Sequence, residues 1–225
     1  MKKNSAIFFI VLLAIAIRFV YVHPFINSMP ATYDGMIFDD VATNVIEHGQ
    51  FRLSPDSPEK KVFYSVKEGF SWRPPVYPLF LAGIYKIFGH NFASVRIIEI
   101  LIAGLTVFLV YFTGKKFFNA KTGLLASLII VLYPPFIQFS GYFMRENILV
   151  FFMMPLLYYL LKISFNEKIS YMDFLVTGVI LGLTALLRTV VIVYAPLFIL
   201  AFLFMRGKRF LNYVKPLTIA IIAML

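Results

Sequence analysis

The segment Tyr33-Asp34-Gly35-Met36-Ile37-Phe38-Asp39-Asp40-Val41-Ala42 places three carboxylates close together, and the same polar interval closes on Arg73-Pro74-Pro75. A carboxylate can take the proton from a reacting hydroxyl, and a guanidinium fork can hold a phosphate through paired hydrogen bonds. Asp39 and Asp40 together with Asp34 could also form a metal site. Adjacent carboxylates entering a helix complement its dipole, so a divalent metal is not the favoured reading, and no cofactor is expected. An isolated Asp-Gly is also an ordinary turn pair, so Asp34 needs its context to signify chemistry.

That context is apolar. The chain has 225 residues, is 60% hydrophobic and 14% charged, and has a mean hydropathy of +0.84. Seven of its 11 acidic residues lie between His23 and Arg73. Apolar runs long enough to approach the roughly 30 Å of a bilayer core recur along the chain, so the fold class is an all-α polytopic membrane protein. Ionisable groups near a bilayer are costly, and a loop rich in carboxylates reads as a site. The net charge of +10 comes from short Lys and Arg clusters between apolar runs, the pattern of membrane topology, and nucleic acid is excluded as a partner. Cysteine is absent, which removes disulfides and thiolate metal sites. His23, His48 and His90 show no ligand spacing.

The whole chain reads as one transmembrane module. Helices are expected at about 6–22, 93–113, 123–143, 148–165, 170–187 and 189–205, with a first loop at 23–73 and a short interfacial helix at about 74–89. The first run reads as a retained signal anchor. The apolar stretch from Phe174 to Met205 is too long for one span and is expected to break near Arg188. A last helix at 216–225 looks cut, as in a fragment of a longer chain. With 74–89 lying in the interface, Lys2, Lys3, Lys115, Lys116, Lys121, Lys168, Arg206, Lys208, Arg209 and Lys215 fall on one side, as the positive-inside rule requires. Arg18, Arg96, Glu99, Arg145, Glu146 and Arg188 then gather on the opposite side, with Asp34. One arginine near a helix end snorkels, whereas a group on this face implies an anion. Arg96 and Glu99, three residues apart, are placed to pair with each other. Pro134 and Pro135 are expected to end or kink a helix.

The order Asp34-x-x-x-Phe38-x-x-Val41-Ala42, Gly49-x-Phe51, Arg73-Pro74-Pro75-Val76-Tyr77-Pro78 and Phe88-Gly89 resembles the amino-terminal half of GT-C membrane glycosyltransferases. The nearest group is the bacterial branch related to dolichyl-phosphate-mannose protein mannosyltransferases and the lipid A aminoarabinose transferase. Tyr133-Pro134-Pro135, Arg145-Glu146 and Leu181 to Arg188 agree with it. Phe38 stands where the family often has Tyr, and Thr189 where Pro is common. The resemblance implies a multi-pass protein of the inner or plasma membrane. Its extracytoplasmic site would move a sugar from a polyprenyl-phosphate donor to a hydroxyl on an acceptor glycan, lipid or protein. It implies Asp34 as the base, by motif position; Arg73, Arg145, Arg188 and Lys86 at the donor phosphate; and Asp39, Asp40, Glu99 and Glu146 in support. Two other classes are weighed beside it. A transporter would carry its charges at midplane in broken helices, and a non-catalytic scaffold or partner subunit would suit a short chain.

Overall fold

A computed structural model describes residues 5–54, 57, 73–165, 169–193, 218 and 222–223. The described residues are all-α, with no strand among them. The order is α1 (Ser5–Val22), a 3-10 turn (His23–Phe25), α2 (Tyr33–His48), α3 (Val76–Phe88), α4 (Phe92–Phe117), α5 (Ala120–Leu132), α6 (Pro134–Gln138), α7 (Glu146–Phe165), α8 (Tyr171–Leu187) and a second 3-10 turn (Thr189–Val193). α1, α4 and α7 are long and apolar enough to cross a membrane, while α3, α5 and α8 are shorter apolar helices. The 13 residues of α3 reach only about 20 Å, short of a bilayer core.

Local chemistry explains the ends of these helices. Asn91 caps α4 by accepting from the amides of Ala93 and Ser94, and Lys115 and Lys116 sit in its last turn, where the helix dipole favours cations. Asn119 caps α5 through Thr122 N–H. The single helix expected over 123–143 is instead two helices followed by turns. α5 stops at Leu132 because the residue before Pro134 is pushed to an extended conformation, and Tyr133 has φ −74° and ψ 112°. The prolines then open the five-residue α6. The expected α4 over 93–113 runs on to Phe117, since no breaker intervenes. α8 ends at Leu187 as its reading predicts, with Arg188 already extended at φ −153° and ψ 108°. Of the helix expected at 189–205, only the turn at Thr189–Val193 is described. Its remainder, most of the helix expected at 216–225, and Lys2, Lys3, Lys168, Arg206, Lys208, Arg209 and Lys215 lie outside the described residues.

α4 is the central post, packing against α1, α5 and α7, while α2 and α3 pack on each other. The core that joins them holds Phe38 and Ala42 of α2, Tyr77, Leu81 and Tyr85 of α3, Val95 of α4, and Ile148 and Leu149 of α7. α2 is therefore not a detached loop helix. It is fastened to the bundle end through apolar burial, each such side chain contributing about 1.5–3 kcal/mol of transfer free energy.

Candidate functional site

The site is built where α2 begins. Thr32 is extended, and its hydroxyl accepts from Gly35 N–H at 3.1 Å while donating to the Tyr142 carbonyl at 2.9 Å. One side chain thus caps α2 and pins it to the segment ahead of α7. Gly35 makes this approach possible, because a Cβ there would lie 2.8 Å from the Tyr142 carbonyl oxygen and 2.7 Å from Thr32 Oγ1. The facing segment is shaped by Phe143, a buried residue with a φ of 54°, a conformation that non-glycine residues adopt only when their surroundings enforce it. What enforces it here is Arg96. Its Nε donates to Gly141 O at 3.0 Å, its Nη1 donates to Ile26 O and Ser28 O at 2.7 Å each, and its guanidinium stacks over the Phe143 ring at 5.0 Å.

Asp34 thus sits in the first turn of α2, not in an isolated turn, and its Oδ1 is 3.0 Å from Arg73 Nη2. Both side chains are partly exposed, at 32% and 22%. One helical turn on, Phe38 lies on the same face of α2 and carries the Arg145 guanidinium over its ring, 5.7 Å from the centroid. Glu146, the next residue, accepts from Arg188 Nη1 at 3.1 Å across 42 residues of sequence. The structure therefore brings Asp34, Arg73, Arg145, Glu146 and Arg188 to one end of the bundle in two partly exposed ion pairs, with Arg145 near both. Lys86 is different. It lies exposed in the last turn of α3 and makes no ion pair with a described residue, so nothing there draws it to the group.

Asp39 and Asp40 do not enter a helix as expected. They occupy the middle of α2, beyond the reach of its terminal dipole, and the acidic residue in the first turn is Asp34. Asp39 accepts from Tyr85 Oη at 2.5 Å and lies 2.9 Å from His90 Nε2, while Asp40 accepts from the amide and hydroxyl of Ser54. The three carboxylates turn to three sets of partners. No group of three or more His, Cys, Asp or Glu among the described residues converges as a metal would need. Burial and the Asp39 carboxylate hold the Tyr85 phenol well above its usual range, so it remains a donor.

Arg96 and Glu99 do not pair with each other. Arg96 turns to backbone carbonyls, and Glu99, fully buried, accepts from Tyr77 Oη at 2.6 Å. Burial raises the Tyr77 phenol in turn, with Glu99 and the more distant Glu146 adding to it. Nor do Arg18 and Arg96 snorkel. Each is 1% exposed, and Arg18 donates to Ala14 O within α1. Tyr77, Tyr85, His90, Asn147 and Thr32 are the supporting residues that spacing alone does not reveal. Only Tyr77 stood inside a quoted motif, whereas Asn147, which donates to Glu99 O at 2.9 Å, adjoins Glu146 without any periodic signal.

No curated protein matches the chain. A family model does, over residues 72–225, a stretch that holds Arg73, Glu99, Arg145, Glu146 and Arg188 and begins after the Asp34 segment. Spans apolar enough for a membrane and a match over more than half the sequence agree, and the chain belongs to the dolichyl-phosphate-mannose-protein mannosyltransferase family, glycosyltransferases of the GT-C type.

Proposed function

We propose that this protein transfers a sugar from a polyprenyl-phosphate-linked donor to an acceptor hydroxyl at the extracytoplasmic membrane face, with Asp34 as general base. The observation that carries this reading is the partly exposed Asp34–Arg73 pair, set one helical turn from Phe38, whose ring carries the Arg145 guanidinium. Before the donor arrives, Arg73 neutralises the carboxylate. A guanidinium has five N–H donors, so an arriving phosphate can share Arg73 and draw it away from Asp34. The carboxylate is then free to accept the proton of the acceptor hydroxyl as the new glycosidic bond forms at the anomeric carbon. The bond from that carbon to the phosphate oxygen breaks, its electron pair leaves with the carrier phosphate, and Arg73, Arg145 and Arg188 stabilise the departing charge. Arg188 reaches the phosphate by exchanging its Glu146 partner. Direct displacement with one base inverts the anomeric centre.

Asp34→Asn keeps the size of the side chain and removes its proton affinity, so turnover with a polyprenyl-phosphate sugar in proteoliposomes should fall roughly 10²- to 10⁴-fold. Donor binding should persist. Near-wild-type turnover in a folded, inserted variant would reassign the base to Glu146, since Glu99 is sealed from any acceptor. Asp39→Asn and Asp40→Asn should cost much less, and loss of activity with chelator would point to a metal. The membrane side is tested separately. Cysteines introduced at Glu47 and at Lys121 of this cysteine-free chain should label from opposite faces, and labelling of both from one face would refute the topology.

A further inference from the structure

At the opposite end of the bundle, a groove of about 670 Å³ opens between α1 and α4. Ile7 and Val11 form one wall, and Leu105 and Phe108 the other. At Gly104 the two helices touch, since a Cβ there would meet the Ile15 side chain at 3.0 Å, and this contact closes the inner end. Toward the other end the walls change character. Lys115 and Lys116 flank the mouth, and Tyr111 lies beneath it, 4% exposed, with its hydroxyl buried and without a hydrogen-bond partner among the described residues. The Lys115 ammonium lies 5.5 Å from the Tyr111 ring centroid.

We infer that this groove binds an anionic phospholipid, with an acyl chain between α1 and α4 and the phosphate at Lys115, Lys116 and the Tyr111 hydroxyl. Length selects an acyl chain over a helix. From Gly104 to Lys115 the groove runs about 17 Å along α4, close to the ~15 Å of one leaflet, whereas a helix crossing from a second copy would need the full ~30 Å. Charge selects the head group, because two lysines at the dipole-negative end of α4 attract an anion from the adjoining leaflet surface. The orphan hydroxyl supplies the directional element, since a buried donor without a partner is costly and a phosphate or ester oxygen would satisfy it. Lipid bulk around a helix needs none of these three features together. The inference stands apart from the transfer reaction, whose residues cluster at the other end of α4.

The sole tryptophan, Trp72, permits a direct test. Leu105→Trp in a Trp72→Phe background places one indole in the groove, and brominated lipids quench it when they occupy the site. In phosphatidylcholine vesicles, brominated phosphatidylglycerol should quench severalfold more effectively than brominated phosphatidylcholine. Lys115→Gln with Lys116→Gln should bring the two to parity, and Tyr111→Phe should reduce the preference. Equal quenching by both lipids with the lysines intact would reduce the groove to ordinary lipid contact and overturn the inference. So would a preference that survives the double lysine change. Protection from both lipids would show that protein covers the groove, and would equally overturn it.

Discussion

Two sets of arginines sit toward the same end of this bundle and do opposite things. Arg18 and Arg96 are each 1% exposed and answer backbone carbonyls, whereas Arg73 and Arg188 keep 22% and 44% of their side chains exposed and answer carboxylates. A guanidinium buried against carbonyls has no cheap alternative partner, and Arg96 could not leave without orphaning the loop oxygens it holds. One held by a carboxylate at a wet boundary can exchange that partner for another anion at little cost. Arg96 locks the segments around the candidate site, Arg18 stays within its own helix, and under the proposed reading the second set is available to a ligand. Identical residue types thus divide into framework and site by what they touch.

The comparison breaks first at Arg96. Arg96→Met removes three hydrogen bonds that join the 26–28 and 141 segments to α4, and should cost about 3–5 kcal/mol of stability, read as a large drop in the thermal midpoint in detergent. A midpoint near that of the wild type would return Arg96 to the exchangeable set. Next comes Arg73→Lys, which keeps the charge and loses the fork. It should weaken donor binding by about tenfold, a loss near 1.4 kcal/mol, while leaving the thermal midpoint in place. Unchanged donor affinity and turnover for Arg73→Ala would remove Arg73 from the phosphate site. Arg188→Met should shift stability by less than about 1 kcal/mol, since its pair with Glu146 is part-exposed, yet still slow transfer. A stability loss as large as that of Arg96→Met would make this pair part of the framework.

The smallest effect is in pH. The Tyr77 and Tyr85 phenols titrate higher in the fold than the value near 10 expected of an unfolded chain, because they are buried and donate to carboxylates. Their contribution to stability is therefore whole below about pH 10 and is lost as pH rises toward the folded values. The thermal midpoint should carry no slope from these groups between neutrality and about pH 9, then fall in alkali. Tyr85→Phe should show a shallower alkaline fall, and an unchanged one would remove Tyr85 from this account.

Membrane class was legible from apolar run lengths, since the ~30 Å of hydrocarbon sets a length that a sequence either meets or does not. Pro134 and Pro135 marked a helix end or kink, although the helix itself was expected to continue to 143, and Arg188 marked the break that falls after Leu187. Residue spacing also drew attention to Asp34, Arg73, Arg145, Glu146 and Arg188. It erred where partners come from far along the chain. Asp39 and Asp40 looked like dipole companions because their neighbours Tyr85, His90 and Ser54 lie 14 to 51 residues away. Arg96 and Glu99 looked like a pair because one helix turn joins them, yet each is claimed by a different segment.

The sequence by itself determined that these helices form and that the chain belongs in a bilayer, because both follow from local periodicity, breakers and apolar length. Tertiary structure alone decided which charges are sealed and which remain exchangeable. The energy of a guanidinium depends on burial and on whether its partner is a carbonyl or a carboxylate, and neither is set until α2, α4 and the segment before α7 pack together.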